Sequence, residues 1–207
     1  MELMTRLITC LLFFSLKSQG QGIIYLSNPS FEDEPKCCEA PTGWHDCGLE
    51  EESPPDIQPG SFEVNQTPAH GDTYLGLVVR DNNTCEAVGQ RLPESLQYDQ
   101  SYVLRVSLAR SELYLSLSRS TGEEVNYATP VKLQIWGGIE YCDKRELLAE
   151  SPLITHTEWQ EYELNFTPRN GHYNFITLEA QYKTPVLFPY NGNLLIDNLV
   201  LTYLDKK

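Results

Sequence analysis

Short runs of β-branched and aromatic residues recur along this chain, separated by clusters of Gly, Pro, Asn and Asp. No long stretch carries the 3.6-residue apolar period of an amphipathic helix, so the pattern predicts strands throughout. An all-β chain with a buried core is most simply built as two sheets packed face to face, closed here by both termini. The clearest predicted strands cover residues 73–79, 101–109, 131–136, 159–166, 173–182 and 193–203.

Alternation within these strands predicts which side chains face the core. In strand 131–136 the apolar side chains fall on one side, and Gln134 and Trp136 fall on the other. The same alternation puts Arg105 and Glu179 on the polar sides of two further strands. We therefore expect one polar face that carries these side chains around a tryptophan.

Residues 1–20 have the outline of a signal peptide. Arg6 precedes a short apolar run, and the small residues Ser18 and Gly20 match the preference of a cleavage site. The run is too short to span a bilayer, and no second apolar segment approaches that length. We expect cleavage after Gly20, one β-sandwich domain over residues 21–207, and a secreted or cell-surface protein.

The chain is strongly acidic, with 15 basic and 29 acidic side chains and a formal net charge of −14. A surface of this sign repels nucleic acid and anionic lipid. Nucleic acid is therefore excluded as a partner.

Export would permit disulfides, and five cysteines follow the leader: Cys37, Cys38, Cys47, Cys85 and Cys142. We expect one bridge from Cys37 or Cys38 to Cys47 and a second from Cys85 to Cys142. The odd count leaves one thiol unassigned. Zinc is the weaker interpretation of the first cluster, because adjacent cysteines lack the usual ligand spacing.

Several aromatic residues lie beside Gly, Pro, Ser or Asn, where loops or strand ends are expected. Trp136, Tyr114 and Tyr127 belong to this group. Sugar-binding proteins stack the apolar face of a pyranose on such rings and orient it with a few polar groups. For the tyrosines the core remains the better interpretation, whereas for Trp136 core and ligand binding are equally supported.

Oxygen-bearing side chains near both ends of the chain could gather around calcium, which accepts irregular coordination by loops. The candidates are the segment that starts at Asn28, the turn at Asp72, and Asp197 in the last strand. The alternative is that Asn28 and Asp197 cap turns and strand ends by hydrogen bonding.

Four motifs stand out along the chain: NPSFED at 28–33, PTGW at 41–44, TEWQEYELNFTP at 157–168 and NLLIDNLVL at 193–201. They resemble those of the galactose-binding-domain-like jelly rolls. Within that group they are most similar to carbohydrate-binding modules of the family 4 and 9 type, and other segments resemble a subgroup of exported bacterial surface proteins. The resemblance implies a jelly-roll β-sandwich of two antiparallel sheets.

The resemblance also implies a structural calcium, with Glu32 and Asp197 at the matching positions and Asn28 and Asp72 as companions. Trp136 is the best positional match to an aromatic residue of the family's sugar sites.

We therefore hypothesise a non-catalytic carbohydrate-binding module, stabilised by calcium, that binds a polysaccharide or other glycan. Trp136 would be the stacking platform, and Arg105, Gln134 and Glu179 would be polar contacts. The first alternative is an adhesion or envelope-assembly module that binds a cell-envelope protein. The second is a small jelly-roll hydrolase or lyase, although the sequence has no G-x-S-x-G, H-E-x-x-H or P-loop motif.

Overall fold

The structure is a computed structural model that describes residues 21–204. The predicted signal peptide lies outside the described residues. The described chain contains strands β1–β13 and one short 3₁₀ helix, Ser61–Glu63. The strands are β1 Gln21–Ile24, β2 His45–Asp46, β3 Asp56–Gln58, β4 Tyr74–Val79, β5 Ala87–Leu96, β6 Tyr102–Ala109, β7 Leu115–Leu117, β8 Glu124–Asn126, β9 Lys132–Gly138, β10 Glu146–Glu150, β11 Gln160–Phe166, β12 Tyr173–Gln181 and β13 Gly192–Leu204.

The strands form a jelly-roll β-sandwich of two antiparallel sheets, as expected. The front sheet has the strand order β10-β9-β12-β5-β2. The back sheet has the order β11-β6-β13-β4-β3, and β1 also pairs with β13. The pairing of β1 with β13 brings the first and last described strands together, as the sequence predicted for the termini.

The core lies between the two sheets and follows the predicted alternation. Leu104 and Leu108 of β6 face Leu133 and Ile135 of β9 across one continuous apolar cluster, and Leu178 of β12 completes the contact. All of these side chains are fully buried. At roughly 1.5–3 kcal/mol for each aliphatic side chain taken out of water, this cluster is the main source of stability.

A second, smaller core lies on the outer face of the back sheet. It is formed by Tyr74, Val78 and Leu195 together with Tyr114 and Tyr127 from the segment between β6 and β9. Loops or strand ends were expected around Tyr114 and Tyr127, but the structure has the hairpin β7–β8 between them. This hairpin covers the outer face of the back sheet.

Strand β5 was not predicted, although it pairs with both β12 and β2. Its sequence, AVGQRLPESL, contains Gly89 and Pro93, which are both depleted in strands. Gly89 is required because a Cβ there would lie 2.9 Å from the Sγ of Cys47. Gly89, which makes the segment look unlike a strand in the sequence, thus leaves room for the Sγ of Cys47 above the sheet.

One disulfide joins Cys47, directly after β2, to Cys142 in the connection between β9 and β10. The predicted bridges are wrong, because Cys37, Cys38 and Cys85 are free. The chain next to Cys37 pairs with β3 of the back sheet through Lys36, whereas Cys47 follows a strand of the front sheet. The Cys-rich segment therefore divides between two sheets, and its cysteines cannot close a short loop.

Replacing both Cys47 and Cys142 with Ser should lower the free energy of unfolding by about 2–5 kcal/mol, because the bridge closes a long loop. The bonded residues are 95 apart in the sequence. Urea denaturation without reductant measures the change. Cys37→Ser, the same substitution at an exposed free thiol, is the matched control and should leave stability unchanged. A double variant as stable as the control would contradict this role.

Candidate functional site

Trp136 lies on the outer face of the front sheet, half-buried, as the alternation of β9 predicted. Its indole N–H donates to Oε2 of Glu179 on the neighbouring strand β12, at 2.9 Å. Oε1 of Glu179 in turn accepts from the ammonium of Lys144 at 2.6 Å. Glu179 is only 7% exposed. Both of its carboxylate oxygens are bound by these two partners, which holds the carboxylate and therefore the indole in place.

Gln134 shares this outer face. It is the register partner of Glu179 across the β9–β12 pair. Its side-chain amide donates to Oε2 of Glu150 on β10 at 3.1 Å, and Lys132 donates to the same oxygen at 2.7 Å. Trp136, Gln134 and Glu179 are thus brought together as predicted.

Arg105 does not belong to this face, so its predicted place there is wrong. It lies on β6 of the back sheet, where its guanidinium contacts Oε1 of Glu163 on β11 at 2.7 Å. Alternation correctly predicts that Arg105 faces away from the core. It cannot predict which of two packed sheets a strand joins.

Tyr114 and Tyr127 are not available to a ligand either, because they are 2% and 1% exposed. The Tyr114 hydroxyl donates to the carboxylate of Asp56, and the Tyr127 hydroxyl donates to the backbone carbonyl of Leu117 at 2.6 Å. Both rings lie in the second core. Their loop-like neighbours in the sequence concealed that the segment folds back onto a sheet.

The connection between β9 and β10, residues 139–145, crosses the outer face of the front sheet, and we call it the strap. Tyr141 packs between Phe175 of β12 and His45 of β2, with ring centroids 4.5 and 4.1 Å away. Cys142 bonds to Cys47 at the far edge of the sheet. The strap therefore runs from β9 over β12 and β5 to β2 before it returns to β10.

A cavity of about 310 Å³ lies beside the strap, and we call it the strap pocket. Its floor contains Glu179 and Gln181 of β12. Burial raises the pKa of the Cys85 thiol in its wall to about 12, so this thiol stays protonated. The residues that line the pocket are Cys47, Gly48, Leu49, Asn83, Thr84, Cys85, Lys144, Glu179, Gln181 and Tyr182.

Sequence analysis missed Tyr141, Lys144, Phe175 and Gln181 as members of this site. The signal that could have found the first two was the nearby Cys142, since a bridged cysteine fixes the position of its neighbours. The pairing itself cannot be deduced from the sequence.

The predicted calcium ligands do not form a set of acceptors around a common point. Asp197 is fully buried, and its Oδ1 accepts from the Ser30 hydroxyl at 2.8 Å and from the Asn198 N–H at 2.7 Å. Its Oδ2 accepts from the His70 N–H at 2.8 Å. Burial raises the pKa of Asp197, and these hydrogen bonds oppose the shift. A cation needs free acceptor oxygens, whereas this carboxylate faces donors.

Of the other three predicted ligands, Asn28 and Glu32 make hydrogen bonds through their side chains, and Asp72 makes one through its backbone N–H. The Asn28 side chain binds the backbone of Glu32 in both directions and donates to the carbonyl of Thr42. Oε2 of Glu32 accepts from the Asp72 N–H at 3.0 Å. Within residues 21–204, no group of His, Cys, Asp and Glu is arranged to hold a metal ion. The donor chemistry thus fits turn capping better than calcium.

The back sheet contains a buried charge network that sequence analysis also missed. Arg80 contacts the carboxylate of the fully buried Glu86, and its Nη2 donates to the Ser53 hydroxyl at 2.8 Å. Burial raises the pKa of Asp56 to about 6, although the Tyr114 hydroxyl and the Cys38 N–H both donate to it. Because these groups bind one another inside the protein, they hold loops to the back sheet.

Neither a protein-family model nor a curated protein matches this chain. Similar folds occur among solved structures. A cyclase from Fischerella sp. TAU has a TM-score of 0.61 at 16% identity, covering 89% of this chain and 98% of its own. The CBM22-1 xylan-binding domain of Paenibacillus barcinonensis Xyn10C has a TM-score of 0.51 at 12% identity, covering 92% and 99%.

The K1 cleaved adhesin domain of Lys-gingipain from Porphyromonas gingivalis W83 also has this fold, with a TM-score of 0.50 at 8% identity, covering 89% and 97%. At these identities the likeness concerns the fold alone. The fold is thus one that carbohydrate-binding modules, an adhesin domain and cyclases share. Residues 21–204 contain no helix with the length and apolar character needed to cross a bilayer.

Because protein donors already hold Asp197, adding EDTA should leave the melting temperature unchanged. A calcium ion bound at a hundred times its dissociation constant would add about 2.7 kcal/mol. For a chain of this size that corresponds to roughly 5–11 °C. A fall of the melting temperature by that amount on chelation, measured by differential scanning fluorimetry, would show that calcium binds at the predicted site. Ser30→Ala should lower the melting temperature with or without EDTA, because it removes a donor to a buried carboxylate.

Proposed function

We propose that this protein is an exported, non-catalytic glycan-binding module that uses the outer face of its front sheet. The observation that carries the proposal is the half-buried Trp136, held at its indole N–H by Glu179, which is itself held by Lys144. Next to it lie the Gln134 amide and the strap pocket.

This arrangement fits the physical requirements of sugar recognition. A pyranose presents an apolar face, which stacks on an aromatic ring, and a rim of hydroxyls, which need fixed donors and acceptors. Trp136 supplies the ring, Lys144 and Gln134 supply donors, and Glu179 holds both the ring and the ammonium in place. Trp136, Glu179 and Lys144 bind one another across β9, β12 and the strap, and Gln134 is held by Glu150 of β10. Little side-chain freedom is therefore lost when a ligand binds.

The charge of the protein favours a neutral glycan. The formal net charge is −14, so an anionic polysaccharide would be repelled over much of the surface. The structurally similar CBM22-1 domain is named for xylan binding, which makes xylan the first neutral glycan to test. Export is supported by the sequence of residues 1–20 and by the disulfide, since disulfides persist in oxidising compartments.

A protein-binding adhesion module is the second candidate, and one surface feature favours it. Leu187 and Phe188 are 86% and 81% exposed in the loop between β12 and β13. The loop is held at its base, because the Tyr190 hydroxyl donates to the Pro130 carbonyl at 3.0 Å and accepts from the Lys183 N–H at 2.7 Å. Exposed apolar side chains on an anchored loop are typical of contacts with a protein partner.

A small hydrolase or lyase is the weakest candidate. Glycoside hydrolysis uses a pair of carboxylates on either side of the scissile bond. Among the described residues that line the strap pocket, Glu179 is the one carboxylate, and it is bound by both Trp136 and Lys144. This geometry supports binding without catalysis.

Trp136→Ala should weaken glycan binding about tenfold or more. Removal of the stacking ring is expected to cost at least about 1.4 kcal/mol of binding free energy, which corresponds to a tenfold change in affinity. Affinity electrophoresis in xylan, hydroxyethyl cellulose and galactomannan measures the retention. Trp136→Phe keeps a ring without the N–H and should be intermediate.

Trp159→Ala is the matched control, because Trp159 is also half-buried but contacts Tyr74 of the back sheet. Circular dichroism confirms that each variant is folded. Equal retention of wild type and Trp136→Ala in a glycan that binds the protein would remove Trp136 from the site. Retention by none of these glycans, together with recovery of one specific protein from envelope extracts, would favour the adhesion module.

A further inference from the structure

We infer that the site binds the end of a glycan chain rather than an internal segment. This inference rests on the proposed function, because it concerns the same face of the front sheet. It follows from the way the strap and two neighbouring loop segments close that face on one side.

The strap blocks one direction across the sheet. Tyr141 lies on Phe175 and His45, and the Cys47–Cys142 bond fixes the strap at the β2 edge. Gly138 allows the strap to approach, because a Cβ at that position would collide with the backbone carbonyl of Asp143. A polysaccharide that follows β9 or β12 along its length therefore meets covalently anchored protein.

The strap pocket closes the other direction. A ligand that lies over Trp136 and continues across β12 passes Glu179 and then meets the walls of the pocket. One wall is Gly48 and Leu49, which follow the bridged Cys47, and the other is the turn from Asn83 to Cys85. No residue of β9 or β10 lines the described pocket. Glu179, which binds the Trp136 indole, thus lines the pocket on one side, and Gly48 and Leu49, which follow β2, line it on another.

Size and chemistry both suit a terminal sugar. A volume of 310 Å³ is at the lower limit of ligand pockets, which suits one sugar ring better than a continuing chain. A terminal ring also carries a free hydroxyl at the position where an internal ring is linked. The Lys144 ammonium and the Gln181 amide line the pocket and can donate hydrogen bonds to hydroxyls of this kind, while Glu179 holds the ammonium.

The test compares short and long chains of one sugar. Xylohexaose with long-chain xylan, cellohexaose with hydroxyethyl cellulose, and mannohexaose with galactomannan are titrated into the intact protein by calorimetry. Recognition of chain ends predicts one bound protein for each polymer chain, whatever its length. At equal mass the hexasaccharide then offers far more sites than the polymer.

A variant that fills the pocket gives an independent readout. Leu49→Trp adds bulk at the pocket wall, where Leu49 is 53% exposed and a larger side chain can be accommodated. It should weaken hexasaccharide binding about tenfold or more. Leu187→Trp makes the same change on the exposed loop between β12 and β13 and should bind as wild type does.

The outcomes separate this inference from the proposed function. Several proteins bound along each polymer chain, or wild-type affinity in Leu49→Trp, would overturn recognition of chain ends while glycan binding remained. Absence of binding to all three pairs would overturn the proposed function and this inference with it. One protein for each chain together with a weakened Leu49→Trp variant would support both.

Discussion

The covalent bond between Cys47 and Cys142 is the constraint on which the candidate site depends. It joins residues 95 positions apart and holds a loop flat against the front sheet. Without it, the strap would be tied down by side-chain contacts of Tyr141 and Lys144, which are exposed or half-buried. Contacts of that kind contribute little against the entropy of ordering a loop. The bond therefore holds the strap rigidly against the front sheet.

The strap matters because it positions Lys144, whose ion pair with Glu179 orients Trp136. Lys144 belongs to the strap, Glu179 to β12 and Trp136 to β9. The indole is thus held by a chain of hydrogen bonds that begins at the strap and ends on the sheet. A surface ion pair alone is worth little, but here the carboxylate is buried and both of its oxygens are used. The stacking platform is ordered before any ligand arrives.

The sequence predicted six of the thirteen described strands, β4, β6, β9, β11, β12 and β13, and their inward faces, because alternation depends only on local chain geometry. It therefore placed Gln134, Trp136 and Glu179 correctly. It failed where a position depends on contacts between distant segments. Arg105 lies on the opposite sheet, and the two tyrosines are covered by a folded-back hairpin.

The same limit applies to the cysteines and to β5. Bridge connectivity is a property of the folded chain, and Gly89 looks like a strand breaker until the sulfur above it is seen. The predicted calcium ligands, in turn, are residue types that bind metal ions and cap turns equally well. Only the direction of the neighbouring donors distinguishes the two roles.

We propose that the ligand binds the outer face of the front sheet at Trp136. The most direct measurement is a ¹⁵N NMR titration of the protein with the tightest-binding oligosaccharide, observed at the indole N–H signals of Trp44, Trp136 and Trp159. We expect the Trp136 signal to shift with saturation, because the ligand contacts an indole N–H held by Glu179, while the buried Trp44 and the distant Trp159 keep their positions. A saturating titration that moves Trp159 and leaves Trp136 unchanged would contradict the account.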